Sequence, residues 1–105
     1  MLLEGVFPPI TTPFYPDGRL YLRKLEHNVA RYSRTQLAGM VVLGSTGEVV
    51  MLSLEEQREG RERASAAAAT DKVMIAGVGQ ESVRQTVAMA EYAATLHYDA
   101  VLVRT

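Results

Sequence analysis

Two adjacent hydroxyls between two glycines, Gly44-Ser45-Thr46-Gly47, followed by Glu48, are the residues of this chain best suited to chemistry. The glycines allow a tight turn with exposed backbone N–H groups, and the Ser45 and Thr46 hydroxyls add donors beside them. Such a nest suits a small anion: a carboxylate or phosphate accepts hydrogen bonds from the amides and hydroxyls with little need for a full positive charge. Glu48 would repel an anion, so it is expected to tie the loop's own amides or a neighbouring loop. The same residues also suit a plain strand-to-helix turn, for which Gly, Ser and Thr are ordinary material. Residue types alone leave both readings open.

The other candidates offer less. Gly77-Val78-Gly79 carries two glycines of a dinucleotide fingerprint, but Ser82 stands at the third position and no acidic ribose ligand follows at the right distance, so nucleotide binding is a weak reading. The spacing of a phosphate-binding P-loop is absent. His27 and His97 are not spaced to share a metal and read as surface residues. Lys24 falls on the exposed face of a helix and Lys72 just before a strand, at the end away from any site. Neither offers the desolvated pocket that a Schiff-base lysine needs. With no cysteine, disulfides, zinc–thiolate sites and thiol nucleophiles are excluded. No cofactor and no metal are expected.

The elements that must position the nest follow from hydropathy patterning. At 105 residues the chain makes at most one small domain, and its 48% hydrophobic and 22% charged content is that of a globular chain. Lys and Arg number 11 against 12 Asp and Glu, which leaves no basic field for nucleic acid or an anionic membrane. No apolar run approaches the roughly 20 residues of a bilayer span, and the N-terminus lacks a basic region leading into an apolar one, so the chain reads as cytoplasmic.

Residues 5–10 read as an end strand limited by Pro8 and Pro9. Leu22, Leu25, Val29 and Tyr32 predict an amphipathic helix from residue 20 to about 37, and residues 39–43 read as a strand buried on both faces. Ser53 and Glu56 have capping-box spacing and open a second helix to about residue 69. That helix is expected to be largely solvated, with opposite charges four apart in the pairs 58/62 and 59/63. Residues 73–76 read as a third strand. Ser82 with Gln85 opens a third helix with Val83, Val87, Ala90 and Ala94 along its apolar stripe, and residues 100–103 form a fourth strand. The order βαβαβαβ with short connections demands a parallel α/β sheet. Ligands of such sheets bind at the carboxyl ends of the strands, which here are Thr11-Thr12, residues 44–48, residues 77–79 and Arg104-Thr105.

Pro9-Ile10-Thr11-Thr12-Pro13-Phe14, Asp17-Gly18, Gly44-Ser45-Thr46-Gly47-Glu48 and Ala76-Gly77-Val78-Gly79, in that order and spacing, closely resemble the N-terminal part of the dihydrodipicolinate synthase / N-acetylneuraminate lyase family. The resemblance spans essentially the whole chain. It implies a (β/α)8 TIM barrel, which typically takes about 250 residues, of which residues 1–105 are the N-terminal half and the C-terminal half is absent. It implies a pyruvate-dependent lyase or aldolase working through an imine between a barrel lysine and the pyruvate carbonyl. By the same resemblance Ser45 and Thr46, with Gly44 and Gly47, grip the pyruvate carboxylate, and the Ser45 hydroxyl joins a proton relay with tyrosines. The imine lysine and relay tyrosine belong to strands beyond residue 105, so this stretch alone is expected to be inactive. A homo-oligomer is implied at full length, with a small keto acid as the ligand.

Several positions depart from the family pattern. Gln36 and His97 stand where the first and third helices usually end in glycine, and Tyr21 replaces a frequent helix-opening aspartate. Gly60, Arg61 and Glu62 stand where the second helix often has larger apolar residues, which bears on packing. Arg104 replaces an apolar residue near the strand's active end, where it would favour a dicarboxylate substrate or form a salt bridge within the barrel. A reading from another class also stands: a noncatalytic small-carboxylate-binding half-barrel that dimerises edge to edge.

Overall fold

A computed structural model describes residues 2–104, so Thr105, one of the strand-end candidates, lies outside the described residues. Three strands, β1 (Gly39–Val42), β2 (Val73–Gly77) and β3 (Ala100–Leu102), form one parallel sheet in the order β1-β2-β3. Helix α1 (Leu22–Ser33) precedes β1, while α2 (Leu54–Ala67) and α3 (Val83–Thr95) link the successive strands. The register runs from Gly39 opposite Val73 to Val42 opposite Ala76, then from Ile75 opposite Ala100 to Gly77 opposite Leu102. Gly39 is required by this closeness: a Cβ there would collide with the Val73 carbonyl.

The expected first strand is reduced to an extended segment. It lies parallel to β1 through a bridge between Pro9 and Val41, with Ile10 N–H donating to Val41 O at 3.0 Å and Val41 N–H to Pro8 O at 2.9 Å. Pro8 and Pro9 have no N–H to donate, so a continuous ladder cannot form.

Burial follows the apolar stripe of α1, whose Leu25 and Val29 are fully buried, but not that of α3. Met89 and Ala93 face the core, whereas Val83 is 81% exposed, Val87 is 48% exposed and Ala94 is exposed as well. The buried face of α3 is therefore rotated from the Val83–Val87 stripe, since small and branched apolar residues occur around much of the helix. Helix α1 also ends earlier than expected, at Ser33, and Gln36 is not left-handed.

Capping agrees with the sequence. The Ser53 hydroxyl accepts from Glu56 N–H at 3.1 Å, Glu56 Oε1 accepts from Ser53 N–H at 3.0 Å, and the Ser82 hydroxyl accepts from Gln85 N–H at 3.1 Å. Tyr21 caps α1 without a side-chain hydrogen bond and instead stacks on Tyr15, ring centroids 4.1 Å apart. The charge pairs expected along α2 do not form among the described residues. Arg63 reaches across to Glu26 of α1 at 2.7 Å, because the two helices pack side by side.

Candidate functional site

The chain leaves β1 through Leu43, a fully buried side chain on left-handed backbone (φ +57°), and enters the 3₁₀ turn Val49–Met51 through Glu48, which is left-handed too (φ +57°). A left-handed residue with a side chain costs about 1–2 kcal/mol. Two of them flanking one turn mean that the surroundings impose its shape, a pattern concentrated at functional sites.

The surroundings are identifiable. A Cβ on Gly47 would lie 3.1 Å from Leu43 Cα, 3.1 Å from Thr12 Oγ1 and 3.3 Å from Ile10 O. One on Gly77 would run into the Leu43 carbonyl and lie 2.8 Å from Gly44 Cα, and one on Gly79 would lie 3.4 Å from Arg104 Nε. Thr12, residues 43–47, Gly77, Gly79 and Arg104 therefore come together at one end of the sheet, where Gly44, Ser45, Gly79, Leu102 and Arg104 border a cleft of about 20 Å³. Close packing accounts for Gly77 and Gly79 without a nucleotide.

Within the turn, Glu48 N–H donates to Ser45 O at 3.0 Å. The amides of Ser45, Thr46 and Gly47 donate to no partner among the described residues, and neither hydroxyl is engaged. Ser45 and Thr46 are exposed while Gly44 and Gly47 are buried, so the two hydroxyl-bearing residues form an open edge on a packed base. Such an arrangement can hold a small anion. Glu48 does not act as expected: it is exposed, and its carboxylate ties no amide among the described residues.

The chain's lysines stay away from this mouth. Lys24 is exposed on α1, and Lys72 donates to Thr35 O and Leu37 O, each at 2.7 Å, before β2 begins. His27 and His97 are exposed, and His97 has φ +66°. Arg104 is exposed and forms no ion pair among the described residues. No cluster of three or more metal-ligating side chains occurs among the described residues, and none of their helices is long and apolar enough to cross a membrane.

Arg61 is the residue that sequence reasoning missed. It is fully buried, and its Nε donates to Gly77 O at 3.2 Å while Nη2 converges on the same carbonyl. Its own carbonyl accepts from the Tyr98 hydroxyl at 2.8 Å. Burial pushes Arg61 down to about 10, partly opposed by Tyr98 and Tyr92, which leaves it charged at neutral pH. Burial likewise raises Tyr98 above the usual tyrosine range. The available signal was spacing: Gln57, Gly60, Arg61 and Ala64 recur at three- and four-residue steps and form the buried face of α2.

Residues 2–105 match the model of the dihydrodipicolinate synthetase family. The chain belongs to this family. It is 36% identical over 104 residues to 4-hydroxy-tetrahydrodipicolinate synthase of Methanothrix thermoacetophila, covering 99% of this chain and 35% of that protein. It is 33% identical over 101 residues to N-acetylneuraminate lyase of Pasteurella multocida, covering 94% and 34%. The solved N-acetylneuraminate lyase of Mycoplasma synoviae superposes with a TM-score of 0.91 at 32% identity, over 97% of this chain and 36% of that one. The chain thus spans about a third of the length of the family members it matches, and its fold is an α/β portion of their TIM barrels.

Proposed function

We propose that this chain is the N-terminal portion of a Schiff-base-forming, pyruvate-dependent lyase or aldolase, and that its part is to hold the pyruvate carboxylate. The observation that carries the reading is the turn at residues 44–47, with free amides and two free hydroxyls held between left-handed Leu43 and Glu48 at the mouth of the strands. Family membership supports it. In this reading the carboxylate accepts from the amides of Ser45, Thr46 and Gly47 and from the two hydroxyls, which orients the keto carbon toward an amine. Imine formation expels water and creates an electron sink, so the methyl group loses a proton and the resulting carbon adds to an aldehyde. The Ser45 hydroxyl, beside the carboxylate, passes protons in that exchange. Lys24 and Lys72 lie away from the turn, so the imine lysine comes from outside these residues.

Titration of the isotope-labelled chain with pyruvate tests this. Saturable shifts centred on the amides of residues 45–47 are expected; shifts elsewhere, or none, overturn the carboxylate reading. Borohydride with pyruvate is expected to leave this chain unlabelled, and an adduct on Lys24 or Lys72 would refute the assignment of the lysine.

A second reading is the noncatalytic half-barrel that dimerises. It is favoured by the apolar edge at β3, where Val101, Leu102 and Val103 are exposed beside Val83 and Val87 of α3. A discrete dimer by light scattering that still binds pyruvate would favour it.

A further inference from the structure

We propose that Arg61 is a positioning residue that holds the anion-binding turn in shape. Its consequence for substrate rests on the carboxylate reading above; its mechanical role does not.

The guanidinium is fully buried and meets no carboxylate among the described residues, so its charge is balanced by dipoles alone. Two donors converge on Gly77 O, Nη1 lies 3.3 Å from Met89 Sδ, and Nη2 lies 3.5 Å from Gln57 Oε1. Gly77 has no room for a Cβ because the carbonyl of Leu43, the left-handed residue from which the turn departs, lies on that side. Gln57 grips the 3₁₀ turn that follows the candidate site, donating to Leu52 O at 3.2 Å and Val49 O at 3.4 Å, and accepts from Gln80 Nε2 at 2.6 Å. Arg61 therefore holds Gly77, packed beside the start of the candidate site, and Gln57 holds the 3₁₀ turn after it and, through Gln80, the segment that follows β2.

Anchoring α2 would not require this chemistry. Replacing the buried, unpaired guanidinium with apolar volume removes its desolvation cost but leaves Gly77 O without a side-chain donor, and the two effects oppose each other. What the guanidinium adds is a rigid fork of donors aimed at one carbonyl.

The test compares Arg61→Met and Arg61→Lys in the full chain, reading thermal stability, the amide resonances of residues 44–47 and pyruvate affinity. Arg61→Met is expected to melt close to the wild-type temperature, because relief of desolvation and loss of the bonds to Gly77 O oppose each other. Its resonances at residues 44–47 should nevertheless shift or broaden more than those of the strands, and its pyruvate affinity should fall about ten-fold, as when donor geometry at a charged ligand is lost. Arg61→Lys should recover part of both. A stable Met variant with these resonances in place and unchanged affinity overturns the proposal. If Arg61→Met fails to fold, Arg61→Lys decides by the same resonances, their displacement supporting the proposal and their persistence overturning it. Failure of the wild-type chain to bind pyruvate would sink the carboxylate reading alone, because the resonances report Arg61's role without ligand.

Discussion

Glu56 Oε2 accepts the backbone N–H of Leu20 at 3.1 Å, which ties the chain entering α1 to the first turn of α2. The other oxygen closes the capping box with Ser53, so one carboxylate serves two distant backbone donors. The Ser53 and Leu20 N–H groups hold its pKa below the ordinary 4.5. A carboxylate depressed by folding contributes stability above that ordinary value and loses it as pH falls through the folded value. Glu56→Gln should cost about 1–2 kcal/mol at pH 7. Urea midpoints from pH 7 to 3 should fall more steeply in the wild type than in the variant; parallel curves would refute the linkage.

Gly60 and Gly77 should respond oppositely to alanine. Gly60 lies within α2, where a Cβ would meet Leu43 Cδ1 at 3.4 Å and Leu20 Cδ2 at 3.6 Å, ordinary contacts. Gly60→Ala should stabilise by about 0.5–1 kcal/mol, the helix-propensity difference. Gly77→Ala drives a Cβ into the Leu43 carbonyl and should destabilise by about 3 kcal/mol or more. Chemical denaturation of both variants checks the two signs.

His97 ends α3 in a Schellman arrangement. Its N–H donates to Ala94 O at 3.1 Å and Tyr98 N–H donates to Ala93 O at 3.2 Å, with His97 left-handed and Tyr98 buried. Histidine bears a steric cost there that glycine does not. His97→Gly should raise stability by about 0.5–1 kcal/mol after the extra freedom of the unfolded glycine is counted. A lower melting temperature would show that the imidazole contributes something the geometry omits.

Legibility in the sequence followed the range of the interactions. Ser53 with Glu56, and Ser82 with Gln85, were readable because a cap is written within four residues, and β1 and β2 because an apolar run between turn residues is local too. That residues 44–47 form a turn was legible from their types, which left an anion nest and a plain turn equally open. Its strain was not, since the left-handed states of Leu43 and Glu48 accompany packing of the turn against Ile10, Thr12 and Gly77, far away in sequence. Arg61 escaped for a related reason: a charged residue on a polar helix reads as solvated until β2 supplies the carbonyl that it meets. The phase of α3 was misread because Val83 and Val87 outweigh Met89 and Ala93 in hydropathy, whereas contact with the sheet decides which pair is buried.

The hydroxyls of Ser45 and Thr46 separate binding from folding. Both residues are exposed and neither hydroxyl has a partner among the described residues, so Ser45→Ala and Thr46→Val should each change stability by less than about 0.5 kcal/mol. In the proposed reading each substitution removes one donor to a bound carboxylate, a charge-assisted bond, while the backbone amides stay in place. Pyruvate affinity should therefore fall about ten-fold per substitution and further in the double variant. Because the two donors share one ligand, their effects should fall short of additive. Calorimetric titration with pyruvate, and with lactate as a carboxylate lacking the keto group, reads the donors directly. Equal losses for both acids assign the hydroxyls to the carboxylate, and a loss confined to pyruvate would place them at the keto oxygen instead.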